Sequence, residues 1–192
     1  MEERNFEDDL KISQTLNHEW EKVFKRIFGQ NIFIKFQDNK IAQLEFGTDT
    51  TIQQKNGRKF SVEFKTKRNS LMVYDSWVLE LAHHRYSDIE RNNKISSKEG
   101  WLYCSTAEYI IYGTLNEKGD KIIEVCGFSL ILFKDEEFKS EISKLPKRFS
   151  YTKSPFIQTT IFALAKTEWL RQNAKKFWYW KENGGNNLND YF

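Results

Sequence analysis

A short alternation of apolar and polar residues near position 60 is the feature that most constrains the fold. Residues 50–53 are rich in β-branched side chains, residues 55–58 have the sequence Lys-Asn-Gly-Arg, and residues 60–65 alternate between apolar and polar types. Two strand-like runs separated by a glycine-containing turn predict a β-hairpin. Because side chains alternate between the two faces of a strand, Glu63 and Lys65 would share the polar face of the second arm.

The predicted hairpin brings two carboxylates and an amine together. Asp49 precedes the first arm, so its carboxylate would enter from the strand beside Glu63 and Lys65. Two carboxylates can share a divalent cation, and a neighbouring lysine completes the minimum set for metal-dependent hydrolysis of a phosphodiester. Other acid-x-Lys patterns, such as those at Asp38 and Glu137, lack a second acid one hairpin arm upstream. The alternative interpretation of Glu63 and Lys65 is a solvent-facing strand of mixed charge.

Basic residues surround the same hairpin. Arg58 and Lys59 flank its turn, and Lys67 and Arg68 follow its second arm. A positive field around paired acids suits a polyanionic substrate, so these four residues are predicted phosphate contacts. The net charge of +3 and the pI near 8.7 are compatible with nucleic acid binding. The alternative is a hairpin tip whose charges only keep it solvated.

The order of apolar periodicities along the chain predicts an α+β protein. Residues 10–28 have the spacing of an amphipathic helix, strand-like runs follow, and residues 135–145 form a second helical pattern with acids in its first turn. We therefore expect a central mixed, mostly antiparallel sheet flanked by helices. A chain of 192 residues is expected to form one domain, with a core over residues 10–133 and a C-terminal helical region over 134–192.

Three other segments carry expectations about burial and partners. Residues 85–99 show no clear period, which predicts irregular structure. Cys104 and Cys126 lie in strand-like apolar runs, which predicts buried thiols rather than a zinc site or a disulfide framework. The four aromatic residues of 177–180 cannot all be buried on one helical face, and they would suit a homodimer or partner contact.

No signal peptide and no apolar run near 18 residues is visible, so we expect no membrane partner and a cytoplasmic location.

Asp49, Glu63 and Lys65 together resemble the motif of the PD-(D/E)XK nuclease superfamily, which has the restriction-endonuclease-like fold. In that family the first acid stands at the start of a strand, which Asp49 matches, and a hairpin carries the Glu-x-Lys that Glu63 and Lys65 match. Thr48 stands where the motif's name has a proline. The sequence from Trp77 onward, with its later Gly-Trp and Ala-Glu-Tyr steps, is similar to small phage and bacterial nucleases of the superfamily. The resemblance covers about residues 10–133.

The resemblance implies a divalent-metal-dependent deoxyribonuclease that is structure-selective or broadly specific. Its catalytic residues would be Asp49, Glu63 and Lys65. Its ligands for Mg²⁺ or Mn²⁺ would be carboxylates and one backbone carbonyl: Asp49, Glu63, Phe64 (carbonyl), Glu19 and Glu80. The plainer alternatives are a helix-surface Glu19 and a Glu80 paired with a lysine. For the whole chain, the alternatives are a non-catalytic nucleic-acid-binding module on the same fold and a protein-interaction factor.

Overall fold

The structure is a computed structural model that describes residues 16–37, 50–67, 76–88, 93–152 and 157–182. Within these ranges the chain forms four α-helices, ten β-strands and one 3-10 turn. In chain order the elements are α1 (Asn17–Phe28), β1 (Ile32–Phe36), β2 (Thr50–Gln54), β3 (Lys59–Lys67), β4 (Ser76–Asp88), β5 (Asn93–Glu99), α2 (Trp101–Cys104), β6 (Tyr109–Leu115), β7 (Ile122–Ser129), the 3-10 turn (Leu132–Lys134), α3 (Glu136–Lys144), β8 (Lys147–Thr152), β9 (Ile157–Lys166), α4 (Thr167–Asn173) and β10 (Phe177–Lys181).

The strands form two sheets. The larger sheet has six strands in the order β1-β2-β3-β6-β7-β10, and the smaller has four in the order β5-β4-β9-β8. Every described pair is antiparallel except β3 with β6, which run parallel with Glu63 beside Ile110. A parallel pair needs a long crossover, and here β4, β5 and α2 lie within it. The α+β class and the mixed, mostly antiparallel sheet are confirmed. The expectation of one central sheet is wrong, because β4, β5, β8 and β9 build a second one.

Helix α1 covers one face of the larger sheet. Trp20 and Phe24 are fully buried, and their ring centroids lie 4.7 and 5.9 Å from that of Phe64 on β3. A spacing of four residues places both rings on one side of the helix. Gly113 on β6 lets the indole come close, since a Cβ there would lie 2.8 Å from the Trp20 ring.

The opposite face of the larger sheet packs against the smaller sheet. Tyr112 and Phe128 of the larger sheet share a buried core with Trp77, Leu79 and Ala163 of the smaller one. Strand β3 therefore lies between two layers. Its apolar side chains face α1, and the side chains of alternate residues face the smaller sheet.

Two stretches differ from their predicted structure. Residues 85–99 fall mostly within the antiparallel hairpin of β4 and β5. Strand β5 is a sheet edge whose described side chains are largely exposed, so no apolar period marks it in the sequence. The described part of residues 134–192 is not mainly helical, because β8, β9 and β10 alternate there with α3 and α4.

The aromatic segment 177–180 is strand β10. Phe177 and Tyr179 pack against the core between the sheets, whereas Trp178 and Trp180 pack against the core beneath α1. A period of two thus brings all four rings against the protein's own cores, which removes the reason to expect a dimer contact here. The homodimer stays a prediction.

The two cysteines differ in burial. Cys126 is buried as predicted, but Cys104 is exposed because it ends the short helix α2 rather than lying in a strand. Among the described helices, none has the length and apolar character needed to cross a membrane. The cytoplasmic location stays a prediction.

Candidate functional site

The predicted hairpin of β2 and β3 is present, and it brings Glu63 and Lys65 together. The Lys65 Nζ lies 2.6 Å from the Glu63 Oε1, with the Lys65 side chain 41% exposed and the Glu63 side chain only 2% exposed. A buried carboxylate loses its hydration, so it needs compensating partners to stay charged. The carboxylate is therefore held inside the molecule while the amine reaches toward solvent.

The register of the hairpin shows how the position before β2 relates to this pair. The described pairing ends with Thr50 opposite Val62, one residue short of Glu63. Asp49 directly precedes Thr50 in the chain and lies outside the described residues. The described ladder therefore ends one residue before Asp49, the predicted first acid.

The backbone carbonyl of Phe64 points to the β2 side of β3. The Gln54 N–H donates to the Arg58 carbonyl across the hairpin, and the Glu108 N–H donates to the Ser61 carbonyl on the β6 side. Carbonyl directions alternate along a strand, so even-numbered residues of β3 direct theirs toward β2. The Phe64 carbonyl consequently lies on the side of β3 that pairs with β2, while its ring packs under α1.

The negative charge of Glu63 affects the pKa values of two neighbouring side chains. Burial, followed by the charge of Glu63, raises the pKa of Tyr112 well above its usual value. Partial desolvation of the thiol, followed by the charge of Glu63, also raises the pKa of Cys104, although the residue as a whole is exposed. Both groups are thereby kept neutral at physiological pH, and Tyr112 donates its hydroxyl hydrogen to the Val78 carbonyl on β4. Tyr112 and Cys104 are thus neutral neighbours of Glu63, and the Lys65 amine is its charged partner.

Glu80 on β4 is brought to the same neighbourhood, with partners of its own. It also contributes to the raised pKa values of Tyr112 and Cys104. Its Oε1 lies 2.8 Å from the His83 Nε2 and accepts the Trp101 N–H at 3.1 Å. The plainer interpretation of Glu80 named a lysine partner; the observed contacts are a histidine and a helix N–H. A bulge between Glu80 and Ala82, which no sequence pattern signals, helps to set this arrangement.

Glu19 is not brought to this site. It belongs to α1, and its Oε1 contacts the Lys22 Nζ at 2.5 Å while its Oε2 accepts the Ile122 N–H at 3.3 Å. Helix α1 packs on the face of the sheet opposite to the one that carries Glu63. The side chain is buried rather than on the helix surface, so Glu19 satisfies a backbone donor of β7.

The four predicted phosphate contacts have different surroundings. Lys59 is exposed next to the hairpin turn, and Arg58 lies 3.7 Å from the Glu108 carboxylate. The Lys67 amine lies 5.3 Å from the ring centroid of Trp77, on the same side of β3 as Lys65. Arg68 lies outside the described residues.

A buried polar row on the same sheet face was not predicted. Glu124 of β7 is 7% exposed, and it accepts hydrogen bonds from the Thr114 hydroxyl at 3.0 Å and the Tyr179 hydroxyl at 2.9 Å. Lys67, Thr114, Glu124 and Lys181 are neighbours in register across four strands. Glu124 lies within the apolar strand Ile122–Ser129, and a lone acid in such a run is the only sequence signal of this group.

The described residues do not contain three His, Cys, Asp or Glu side chains grouped as a metal site requires. What they contribute is one buried carboxylate, Glu63, and one carbonyl on the adjoining edge, Phe64. Oxygen donors of these two kinds are the ligands that Mg²⁺ and Mn²⁺ prefer. The donor chemistry thus fits a divalent ion, with Asp49 as the remaining predicted ligand.

No family model, no curated protein and no solved structure matches this chain. The described geometry defines an α+β protein with two sheets, in which a hairpin strand carries a buried glutamate paired with a partly exposed lysine.

Proposed function

We propose that the chain is a divalent-metal-dependent nuclease that hydrolyses DNA phosphodiester bonds at the Glu63–Lys65 face of β3. The observation that carries the proposal is the contact between a nearly fully buried carboxylate and a part-exposed amine on one hairpin strand. Burying a carboxylate is costly, and such groups concentrate where their charge is used. The Glu-x-Lys spacing on a hairpin, with Asp49 one arm upstream, is the pattern that resembles PD-(D/E)XK nucleases.

The residues have distinct roles in the proposed reaction. Glu63, the Phe64 carbonyl and Asp49 would hold Mg²⁺ or Mn²⁺, and Glu80 is a further candidate ligand. When bound, the ion supplies Lewis acidity and lowers the pKa of a coordinated water. Lys65 either orients the attacking water or offsets the negative charge that builds on the phosphate in the transition state.

Access to the substrate comes from the exposed side of the pair. The partly exposed Lys65 amine can meet a phosphate that arrives from solvent, while Glu63 stays behind it. Arg58, Lys59 and Lys67 are the described candidates for contacts to flanking phosphates. Such contacts carry no base readout, so the proposed cleavage is structure-selective or broadly specific rather than sequence-specific.

The test is cleavage of labelled supercoiled, linear, single-stranded and four-way-junction DNA, with Mg²⁺, Mn²⁺ or EDTA. Glu63→Gln keeps the size of the side chain and removes its charge, and Lys65→Met removes the amine. Each substitution is expected to lower the metal-dependent rate by about 100-fold or more. Circular dichroism and thermal melting verify that both variants fold.

The matched control is Lys121→Met. It breaks an ion pair of the same length, 2.6 Å between the Lys121 Nζ and the Glu182 Oε1, at an exposed place on the larger sheet. The control is expected to cleave like the wild type. Cleavage by Glu63→Gln at more than a few per cent of the wild-type rate would contradict the assignment. Absence of cleavage on every substrate, with wild type and variant alike, would leave a non-catalytic nucleic-acid-binding module.

A further inference from the structure

The smaller sheet ends at an edge strand, β8, that carries two exposed aromatic rings. Phe149 is 50% exposed and Tyr151 is 60% exposed, which is unusual for rings of this size. They are two residues apart on a strand, so both rings lie on the same face and their positions are separated by about 6.6 Å along the strand. Among the described strands, β8 pairs only with β9, which leaves its other edge open. Neighbouring exposed aromatic rings mark a surface that meets a partner.

The charge of this part of the chain indicates which kind of partner it meets. The chain has 30 basic and 27 acidic residues, yet the segment 142–167 has no aspartate or glutamate and five basic residues: Lys144, Lys147, Arg148, Lys153 and Lys166. Of these, Lys144 pairs with Glu141, which directly precedes the segment. Arg148 is exposed on β8 itself, on the face opposite the two rings. The Lys147 amine donates to the Ile142 carbonyl at 2.8 Å and is thereby tied to the end of α3. A local excess of positive charge beside exposed rings favours a polyanion with aromatic bases.

The acids of this sheet lie on its other two strands, β4 and β5. Among the described side chains of its four strands, the acids are Glu80 and Glu99. Glu80 is engaged by His83 and by the Trp101 N–H. Glu99 ends β5, the strand at the opposite edge of the sheet from β8.

We propose that strand β8 binds single-stranded DNA, with bases stacked on Phe149 and Tyr151 and the backbone passing around the open edge of β8 toward Arg148 on its other face. The proposal rests on the proposed DNA substrate and names its class, a strand whose bases are not paired. Every base has a π-face, so aromatic stacking binds single strands without regard to sequence. Paired bases are stacked inside a duplex and do not offer their faces to the rings. An extended peptide could instead add to the open edge, but the acid-free segment favours the polyanion.

The experiment measures binding of fluorescein-labelled oligothymidine by anisotropy, in EDTA so that no cleavage occurs. Phe149→Leu and Tyr151→Leu keep an apolar side chain on the strand and remove the ring. Each substitution is expected to weaken binding by about fivefold or more, and the double variant by more than either single one. Binding of the wild type is expected to weaken as salt rises, and a duplex of equal length to bind less tightly.

The matched control is Phe33→Leu. Phe33 is 67% exposed on β1, an edge strand of the larger sheet, so it tests exposure and edge position outside the segment 142–167. Lys59, which lies in register with Phe33 through Gln53, is unchanged in this variant. Its affinity for oligothymidine is expected to equal that of the wild type. Thermal melting of all variants verifies that the rings are removed from a folded protein.

Three results would overturn the inference: a double variant that binds like Phe33→Leu, a duplex bound more tightly than the single strand, or tighter binding of oligouridine RNA. The outcome is separable from that of the proposed nuclease activity. Ring-dependent binding together with cleavage that Glu63→Gln does not affect would keep the inference and reject the active site. Glu63-dependent cleavage together with ring-independent binding would reject the inference and keep the active site.

Discussion

On one face of the larger sheet, helix α1 presses Trp20 and Phe24 against Phe64 in a fully apolar contact. On the other face of the same strand, Glu63 is buried with its carboxylate against the Lys65 amine. The adjacent residues Glu63 and Phe64 therefore face opposite layers. A single alternating strand supplies both the packing that holds the sheet and the group proposed for chemistry.

The face of the larger sheet that carries Glu63 is not open to solvent along its whole length, and its burial determines the surroundings of the carboxylate. In register, Glu63 stands beside Ile110, and Ile110 stands beside Phe128, which are both fully buried. The carboxylate thus borders an apolar core on one side and an amine with access to solvent on the other. Substitutions beneath α1 are therefore expected to change stability and leave the chemistry, whereas substitutions at Glu63 are expected to abolish the chemistry even in variants that stay folded.

The largest expected effect on stability is at Trp20. Trp20→Ala removes a fully buried indole, so the free energy of unfolding should fall by about 3–5 kcal/mol in urea titrations. Trp20→Phe fills much of the space and also removes an indole N–H that has no hydrogen-bond partner in the described part of the chain, so it should cost less. Where either variant is folded, its cleavage rate per folded molecule should match the wild type. A rate that falls together with stability would mean that the two faces are coupled.

A smaller effect is expected at Gly113, on the same face. A Cβ at this position would lie 2.8 Å from the Trp20 ring and 3.2 Å from an Ile122 methyl group, so Gly113→Ala should lower the free energy of unfolding by about 1–3 kcal/mol. The matched control is Gly127→Ala on β7, where the closest side-chain atoms lie at 3.2 and 3.3 Å and can shift. Equal losses at the two glycines, measured by the same titrations, would contradict close packing by the indole as the cause.

The features that the sequence predicts well are local ones. The hairpin arms predicted at residues 50–53 and 60–65 are observed as Thr50–Gln54 and Lys59–Lys67, because turn chemistry and alternation act within a few residues. The helix predicted over 10–28 is described from Asn17 to Phe28, and it buries the face that its apolar spacing indicates. The proximity of Glu63 and Lys65 follows from the same alternation.

The features that the sequence does not predict depend on distant partners. The parallel pairing of β3 with β6 sets Glu63 beside Ile110, across a crossover that itself contains a second sheet. No local pattern encodes that register, nor the bulge after Glu80. The aromatic segment 177–180 is unsuited to burial as a helix, yet as a strand between two cores each of its rings is partly buried. Predicting that requires knowing that β7 has an open edge.

The smallest expected effect concerns Glu19, the acid predicted for the site but found on the helix-covered face. Burial alone would raise its pKa, but the hydrogen bonds from Lys22 and the Ile122 N–H outweigh burial and hold the pKa below the ordinary value of 4.5. A carboxyl group with a lowered pKa adds stability above its unfolded pKa, and this is lost as the pH falls through the folded value. Glu19→Gln should therefore cost about 1 kcal/mol at neutral pH, and the difference from the wild type should shrink below about pH 4.5.

Urea titrations at neutral pH and at successively lower pH values measure this difference directly. Glu21→Gln is the control on the same helix, since Glu21 is 46% exposed and pairs only with Lys25 among the contacts described; it should cost less at neutral pH than Glu19→Gln. DNA cleavage should be unaffected by Glu19→Gln, in contrast to Glu63→Gln. A variant at Glu19 that lost cleavage while its stability was unchanged would place this carboxylate in the chemistry, and the division of roles between the two faces would be wrong.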